Sequence, residues 1–173
     1  MQKILAKAKQ IKLLICDVDG VMTDGRLFFD DRGIEYKAFH SRDGLGIKML
    51  QHSGIPLAVI TARTSDVVKH RMENLKIDLV FQGQQSKTHA FETLCKQLQL
   101  QASETAYMGD DLVDLPVMSK VGLSIAVADA HELVKKQSDW ITQHKGGQGA
   151  VRDACELLMN AQGTFEEQFS LFL

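Results

Sequence analysis

The sequence predicts an α/β protein, a Rossmann-like parallel sheet with helices on both faces, and three observations predict it. Short apolar runs of strand length alternate along the chain with segments whose apolar residues recur at helical spacing, the pattern of strands covered on both sides by crossover helices. The chain has 173 residues, 45% of them hydrophobic, a size that suits one compact body with a real core and would cramp two. It carries no internal repeat, low-complexity tract or long linker, and both prolines, Pro56 and Pro116, stand where an element begins. The expectation is one domain over 1–173 with no large cap, a hairpin flap at about 25–39 and a tail at about 163–173.

The elements follow in order. Strands are expected at 11–16, 57–61, 78–81, 105–108, 123–127 and 140–142, each an apolar run of strand length. Helices are expected at 45–52, 65–74, 87–98, 112–119 and 131–136; Phe91, Leu94, Cys95 and Leu98 show the helical spacing in the third of them. On the first, Leu45, Met49 and His52 form a stripe read as packing rather than as a cofactor box. One segment breaks the rhythm. After the first strand, 26–30 and 34–39 flank Asp31-Arg32-Gly33, a hairpin whose glycine supplies the turn.

Composition excludes several functions. With 20 Lys and Arg against 22 Asp and Glu the formal net charge is −2, so no general positive field is available to hold a nucleic acid. No stretch approaches the roughly 18 to 20 apolar residues of a membrane span, and MQKILAKAKQ lacks the apolar centre of a secretory signal, so a cytoplasmic protein is expected. Cys16, Cys95 and Cys155 are far apart and read as reduced, mostly buried thiols. His131-Glu132 opens like a zinc-protease helix, but Lys135 stands where its second histidine belongs.

In open α/β sheets ligands bind beyond the carboxyl ends of the strands. The residues there are Asp17 and Asp19 after the first strand, Thr61 and Arg63 after the second, Lys87 shortly after the third, and Asp110, Asp111 and Asp114 after the fourth. Several carboxylates in one crevice repel one another by several kcal/mol at an effective dielectric of about 20. A hard divalent cation resolves that conflict, and an all-oxygen donor set suits Mg²⁺. The Thr61 hydroxyl and Lys87 ammonium are what the remaining oxygens of a phosphoryl group need. Where the chain leaves the strand, Asp17 and Asp19 can both face the crevice, one to attack phosphorus and the other to reach the leaving oxygen. A free Asp titrates near 3.9. To act as an acid, Asp19 must keep its side chain off the metal in surroundings that favour the neutral form.

DVDGVMTDG at 17–25, VITAR at 59–63, Lys87 within GQQSK, and GDDLVDLPVM at 109–118 together resemble the haloacid dehalogenase superfamily of aspartate-nucleophile phosphatases. HSRDGLGIKML at 40–50, VGLSIAVADAH at 121–131 and GGQGAVRDACELL at 146–158 are similar, within it, to the family of 3-deoxy-D-manno-octulosonate 8-phosphate phosphatases. The resemblance spans residue 11 to about 163. It implies that Asp17 forms an aspartyl-phosphate and gives Mg²⁺ one oxygen, that Asp19 gives the metal its backbone carbonyl and uses its side chain for proton transfer, and that Asp110 is the third protein ligand. It implies that Asp111 and Asp114 hold metal-bound waters and the Lys87 ammonium, while Thr61 and Lys87 bind phosphoryl oxygens.

The family's substrate contacts map onto His40, Ser41, Arg42, Asp43, Gly44, Lys48, Arg63 and Arg71, beside Asp19 and Lys87, a set rich in cations for a ligand with both a carboxylate and a phosphate. The implied activity is hydrolysis of 3-deoxy-D-manno-octulosonate 8-phosphate in lipopolysaccharide precursor biosynthesis. The implied assembly is a homotetramer whose hairpins meet, a fitting outcome for a hairpin that is marginal alone. Ala62, where the family often has Gly, and Ser41, where an apolar residue is usual, are departures that affect the shape of the crevice. The tail GTFEEQFSLFL is more apolar than the flexible tails of the family.

Competing readings are narrower. A calcium loop starting at Asp17 fails, because its sixth position is Met22 and its twelfth Phe28. Gly146-Gly147-Gln148-Gly149 lacks the ribose-binding acid of a dinucleotide site and reads as a glycine-rich helix start, which leaves Arg152 either on the surface or at a subunit contact. Two other functions stay open: a phosphatase for another acidic sugar, such as a sialic acid 9-phosphate, and a silent scaffold of the same fold, which would be free to lose Asp17, Asp19 or Lys87.

Overall fold

A computed structural model describes residues 1–173. After helix α1 (Gln2–Ala8) come β1 (Leu13–Cys16), the hairpin strands β2 (Phe28–Phe29) and β3 (Glu35–Tyr36), and helix α2 (Ser41–His52). Then β4 (Leu57–Ile60), α3 (Asp66–Leu75), β5 (Leu79–Phe81), α4 (Lys87–Leu98) and β6 (Thr105–Gly109) alternate. The chain closes with α5 (Leu115–Met118), β7 (Leu123–Ala126), α6 (Glu132–Gln137), β8 (Trp140–Ile141), α7 (Ala150–Gln162) and α8 (Phe165–Ser170).

Six strands form one sheet in the order β5-β4-β1-β6-β7-β8, and every pairing is parallel. From β1 the chain steps outward to β4 and β5, then returns to the other side of β1 with β6, so the direction of winding reverses between β1 and β6. That is the switch point at which the loops after two neighbouring strands part and leave a crevice. All residues of β1, β4, β6 and β7 are buried, as strands covered on both faces must be. The apolar core is one cluster of 41 buried residues, which leaves no second core for a cap domain. The small β2-β3 hairpin is the only insertion of that kind, antiparallel with Phe28 opposite Tyr36.

Two expectations from the sequence need correcting. Helix α2 begins at Ser41 rather than at 45, and of the stripe Leu45, Met49 and His52 only Met49 is buried. The buried face is Asp43, Gly44, Gly46, Ile47, Met49 and Leu50. The cause is close packing against α7: a Cβ on Gly46 would stand 3.2 Å from Arg152 Cα and 2.6 Å from its Cδ, so the helices meet through glycine instead of a large apolar stripe. The second correction concerns 112–119, where a 3-10 turn at Leu112–Asp114 precedes α5 instead of one continuous helix. Asp111 caps that turn by accepting from the Leu112 N–H at 2.7 Å, and Pro116 stands in the first turn of α5, where a missing donor costs nothing. The tail forms α8 against α7, with Phe165 and Phe169 stacked at 6.1 Å. Cys16 and Cys155 are buried and Cys95 partly so, all unpaired.

Candidate active site

Strands β1 and β6 are neighbours in register, Cys16 opposite Met108, and the Asp17 N–H continues the ladder to Met108 O at 3.0 Å. Adjacent strands lie about 4.8 Å apart, so the first carboxylates beyond them must converge. One carboxylate oxygen from each of Asp17, Asp110 and Asp114 lies within 4.8 Å of the others. After Asp17 the chain curls tightly, with the N–H groups of Val21, Met22 and Thr23 all directed to Val18 O. Gly20 sits in that curl at φ +88°, and a Cβ there would stand 2.1 Å from Asp110 Oδ2, so a glycine is what lets β6's carboxylate reach the loop after β1. Gly146 braces the same curl from the far side, where an added Cβ would meet Gly20 O at 1.7 Å.

Lys87, at the first position of α4, is buried, with its Nζ 2.7 Å from Asp17 Oδ2 and 2.7 Å from Asp114 Oδ1. Burial pushes its pKa down, but Asp17 and then Asp114 pull it up more strongly, and the net direction is upward, so Lys87 is an ammonium. Asp17 accepts from the Val18 N–H at 2.7 Å. Burial raises its carboxyl to about 6 despite Lys87, with Asp114 adding to the rise.

Asp114 is fully occupied. Its Oδ1 accepts from Lys87 at 2.7 Å and from the Tyr107 hydroxyl at 2.8 Å, while Oδ2 accepts from the Asp110 and Asp111 N–H groups at 3.0 and 3.2 Å. With about four acceptor positions on a carboxylate, none is left over for a metal. Asp114 is therefore the anchor of the lysine and of the loop after β6. Asp110 differs: Asp17 is paired with Lys87 and Asp19 with Lys37, but Asp110 has no ion-pair partner. Burial, then the Asp114 and Asp17 anions, push its carboxyl up to about 8. A carboxylate held among like charges without its own cation fits a hard divalent ion, and the oxygen-only donors fit Mg²⁺.

Thr61, buried just beyond β4, and Arg63 complete an open cleft of about 270 Å³ with Asp17, Asp19, Lys87 and Asp110. Its size suits a phosphoryl group and leaves the rest of a sugar to extend outward. The Asp19 carboxylate lies outside the Asp17, Asp110 and Asp114 group. That carboxylate faces two cations, Lys37 and Arg63.

The remaining sequence candidates lie elsewhere. Ser41, Gly44, Lys48 and Arg71 line a separate cleft between α2 and α3, where Arg71 stacks over the Phe39 ring at 5.6 Å. Arg42 lines another beside Arg152. His40 caps α2 by accepting from the Arg42 N–H. Asp43 is buried against α7, where it accepts from the Arg152 N–H at 2.8 Å, so its side chain ties two helices together. Arg152 is half-buried in that contact, with its guanidinium paired to Glu156. Three participants escaped the sequence reading: Tyr107, Glu35 and Lys37. Tyr107 had a signal, since a tyrosine in a buried strand needs a partner for its hydroxyl.

Comparison with known proteins brings this geometry into company. The family model of the haloacid dehalogenase-like hydrolases matches residues 80–154. The 3-deoxy-D-manno-octulosonate 8-phosphate phosphatase KdsC of Escherichia coli K12 is 48% identical over 164 residues, 95% of this chain and 87% of that protein. The crystal structure of the Yersinia pestis phosphatase of the same name superposes with a TM-score of 0.94 at 47% identity, covering 95% of this chain and 89% of that one. That of Moraxella catarrhalis, in complex with magnesium, phosphate and KDO, superposes with a TM-score of 0.98 at 43% identity, covering 100% of this chain and 99% of that one.

Proposed function

Since this chain belongs to the haloacid dehalogenase-like hydrolases, within the family of 3-deoxy-D-manno-octulosonate 8-phosphate phosphatases, we propose that it hydrolyses 3-deoxy-D-manno-octulosonate 8-phosphate to the free sugar acid and inorganic phosphate, a step toward lipopolysaccharide. The observation that carries this reading is the convergence of the Asp17 and Asp110 carboxylates at the switch point, with Lys87 bridging Asp17 to Asp114.

In the proposed reaction a carboxylate oxygen of Asp17 attacks phosphorus, the bond from phosphorus to the sugar oxygen breaks, and Asp19 gives that oxygen a proton. Water then opens the aspartyl-phosphate while Asp19 takes its proton, and phosphate departs. Lys87 and Thr61 hold the phosphoryl oxygens, and Lys87 keeps the buried Asp17 charge compensated throughout. Asp17, the Asp19 backbone carbonyl and Asp110 would hold Mg²⁺, which when bound would supply charge neutralisation for the transferred group. Asp111 and Asp114 support that site from behind. Arg63 is the substrate cation that the cleft itself offers. Roles for His40, Ser41, Arg42, Gly44, Lys48 and Arg71 at the sugar acid rest on the family resemblance alone, and the one for Asp43 competes with its tie to α7.

Steady-state kinetics over a panel of sugar phosphates tests the substrate. The expected result is a kcat/KM at least about tenfold above that for simple phosphate esters, the discrimination of one or two polar contacts. A preference for an ester without a carboxylate would remove this substrate, and a preference for a sialic acid 9-phosphate would transfer the same chemistry to the neighbouring sugar class. No phosphate release from any ester would leave the scaffold reading standing.

We also propose a cytoplasmic homotetramer. The hairpin exposes Leu27, Phe28, Phe29, Ile34 and Tyr36, each about half accessible, on or beside two strands too short to be stable alone. Sedimentation at micromolar concentration is expected to give four subunits, and a monomer there would end this part of the reading. No helix is long and apolar enough to cross a membrane.

A further inference from the structure

The β3 side of the hairpin returns two charged residues to the cleft. The Lys37 side chain is almost entirely buried, at 1% exposure, and its Nζ binds Asp19 Oδ1 and lies 3.2 Å from Glu35 Oε1. Glu35 Oε1 also takes Arg63 Nη2 at 2.7 Å, and Arg63 Nε lies 3.8 Å from Asp19 Oδ2. Four side chains of alternating sign thus close a ring: Asp19, Lys37, Glu35, Arg63 and back to Asp19. Burying an ammonium is costly unless anions meet it. The hairpin accepts that cost at the one carboxylate assigned to proton transfer.

We propose that Lys37 is a positioning residue for Asp19, with Glu35 and Arg63 completing the clamp, so that the hairpin of this chain fixes the proton-transfer carboxylate where the leaving oxygen departs. The inference rests on the phosphatase reading above. Each Asp19 oxygen faces one cation of the ring, which restricts the side chain to one orientation outside the Asp17, Asp110 and Asp114 group. With Lys37 gone, the carboxylate is drawn to Arg63, the other cation of the ring, and turns from the position that serves the leaving group. Glu35 has the second duty of holding Lys37 and Arg63 apart on one oxygen, so that neither cation alone captures Asp19.

The test uses a series of simple aryl and alkyl phosphates, none with a carboxylate, graded in leaving-group basicity. Aryl oxygens depart without a proton and alkyl oxygens do not, so the slope of log kcat/KM against leaving-group pKa reports how well the acid is placed. Lys37→Met is expected to steepen that slope toward the one Asp19→Asn gives. The loss should be about 30-fold or more on the alkyl esters and only a few-fold on p-nitrophenyl phosphate, part of the 10² to 10⁴ that general acid catalysis supplies. Lys37→Arg, which restores a cation, should recover most of the difference. A uniform loss across the series, or a rise in KM with the slope unchanged, overturns the proposal, because a merely structural or substrate-binding lysine does not distinguish leaving groups. Should Lys37→Met fold poorly, Glu35→Gln loosens the ring with Lys37 in place, and an unchanged slope there also counts against the clamp. Turnover of the series by the unaltered protein tests the phosphatase reading separately.

Discussion

Asp17→Asn is expected to lower kcat by about 10⁴-fold or more while the protein keeps its fold, the scale seen when a covalent nucleophile is removed from an otherwise intact site. The change is nearly isosteric, but it removes both the attacking charge and the anion that answers Lys87 at 2.7 Å. Only one orientation of the amide suits Lys87, with the carbonyl oxygen toward the ammonium, and it sets the amide nitrogen against the Val18 N–H that Asp17 now accepts. That mismatch costs about 1 to 2 kcal/mol. Relief of a buried carboxylate whose pKa is raised to about 6 offsets part of it. Phosphate release gives the rate, circular dichroism the fold, and peptide mass after acid quench the covalent step. The unaltered protein under turnover should carry phosphate on Asp17 and the variant none. Residual activity within tenfold of the original would move the nucleophile elsewhere.

Much of this site is written in local signals. Each strand ends within two residues of where its apolar run ends, and helix α4 spans 87–98 as its spacing indicates, which places Lys87 at its first turn. Asp17, Thr61 and Asp110 are legible because a parallel sheet delivers whatever follows its strands to one edge. Contacts made across the chain are not legible in that way. Lys37 and Asp19 are separated by 18 residues and Arg63 and Glu35 by 28, and nothing in a hairpin of alternating apolar and charged residues tells which charges turn inward. Gly146 reads as a helix start because glycine is common there, although its missing Cβ is what lets Gly20 O approach. The stripe Leu45, Met49 and His52 misleads for the opposite reason. Periodicity counts apolar side chains, but α2 meets α7 through Gly46 and the Asp43 carboxylate, neither of which registers as core.

Asp110→Asn should do two things of opposite sign. Activity is expected to fall about 10² to 10³-fold, the scale of losing one preorganised charge at a phosphoryl site. Stability of the metal-free protein at pH 8 is expected to rise. Partial burial and the facing Asp114 and Asp17 anions raise the Asp110 carboxyl to about 8 in the folded chain, against about 3.9 when unfolded. Between roughly pH 4 and pH 8, then, the folded state holds a proton that the unfolded state has released, and stability declines as pH rises through that window. Each unit of difference corresponds to about 1.4 kcal/mol, so even after solvent screening the decline across the window amounts to a few kcal/mol. The amide does not ionise, so the variant should lose most of the slope above about pH 6 and keep the part due to Asp17, which titrates at about 6. Thermal melts at pH 5 and pH 8, with and without Mg²⁺, read both effects. The unaltered protein should gain markedly from Mg²⁺ at pH 8 and little at pH 5, and the variant little at either. A variant less stable than its parent at pH 8 without metal would mean that Asp110 is held by partners of its own, and its place as a metal ligand would go with it. In the proposed reading the active site is destabilising until its ion arrives: three carboxylates at one sheet edge are tolerable because Lys87 compensates two of them and the third would meet the cation.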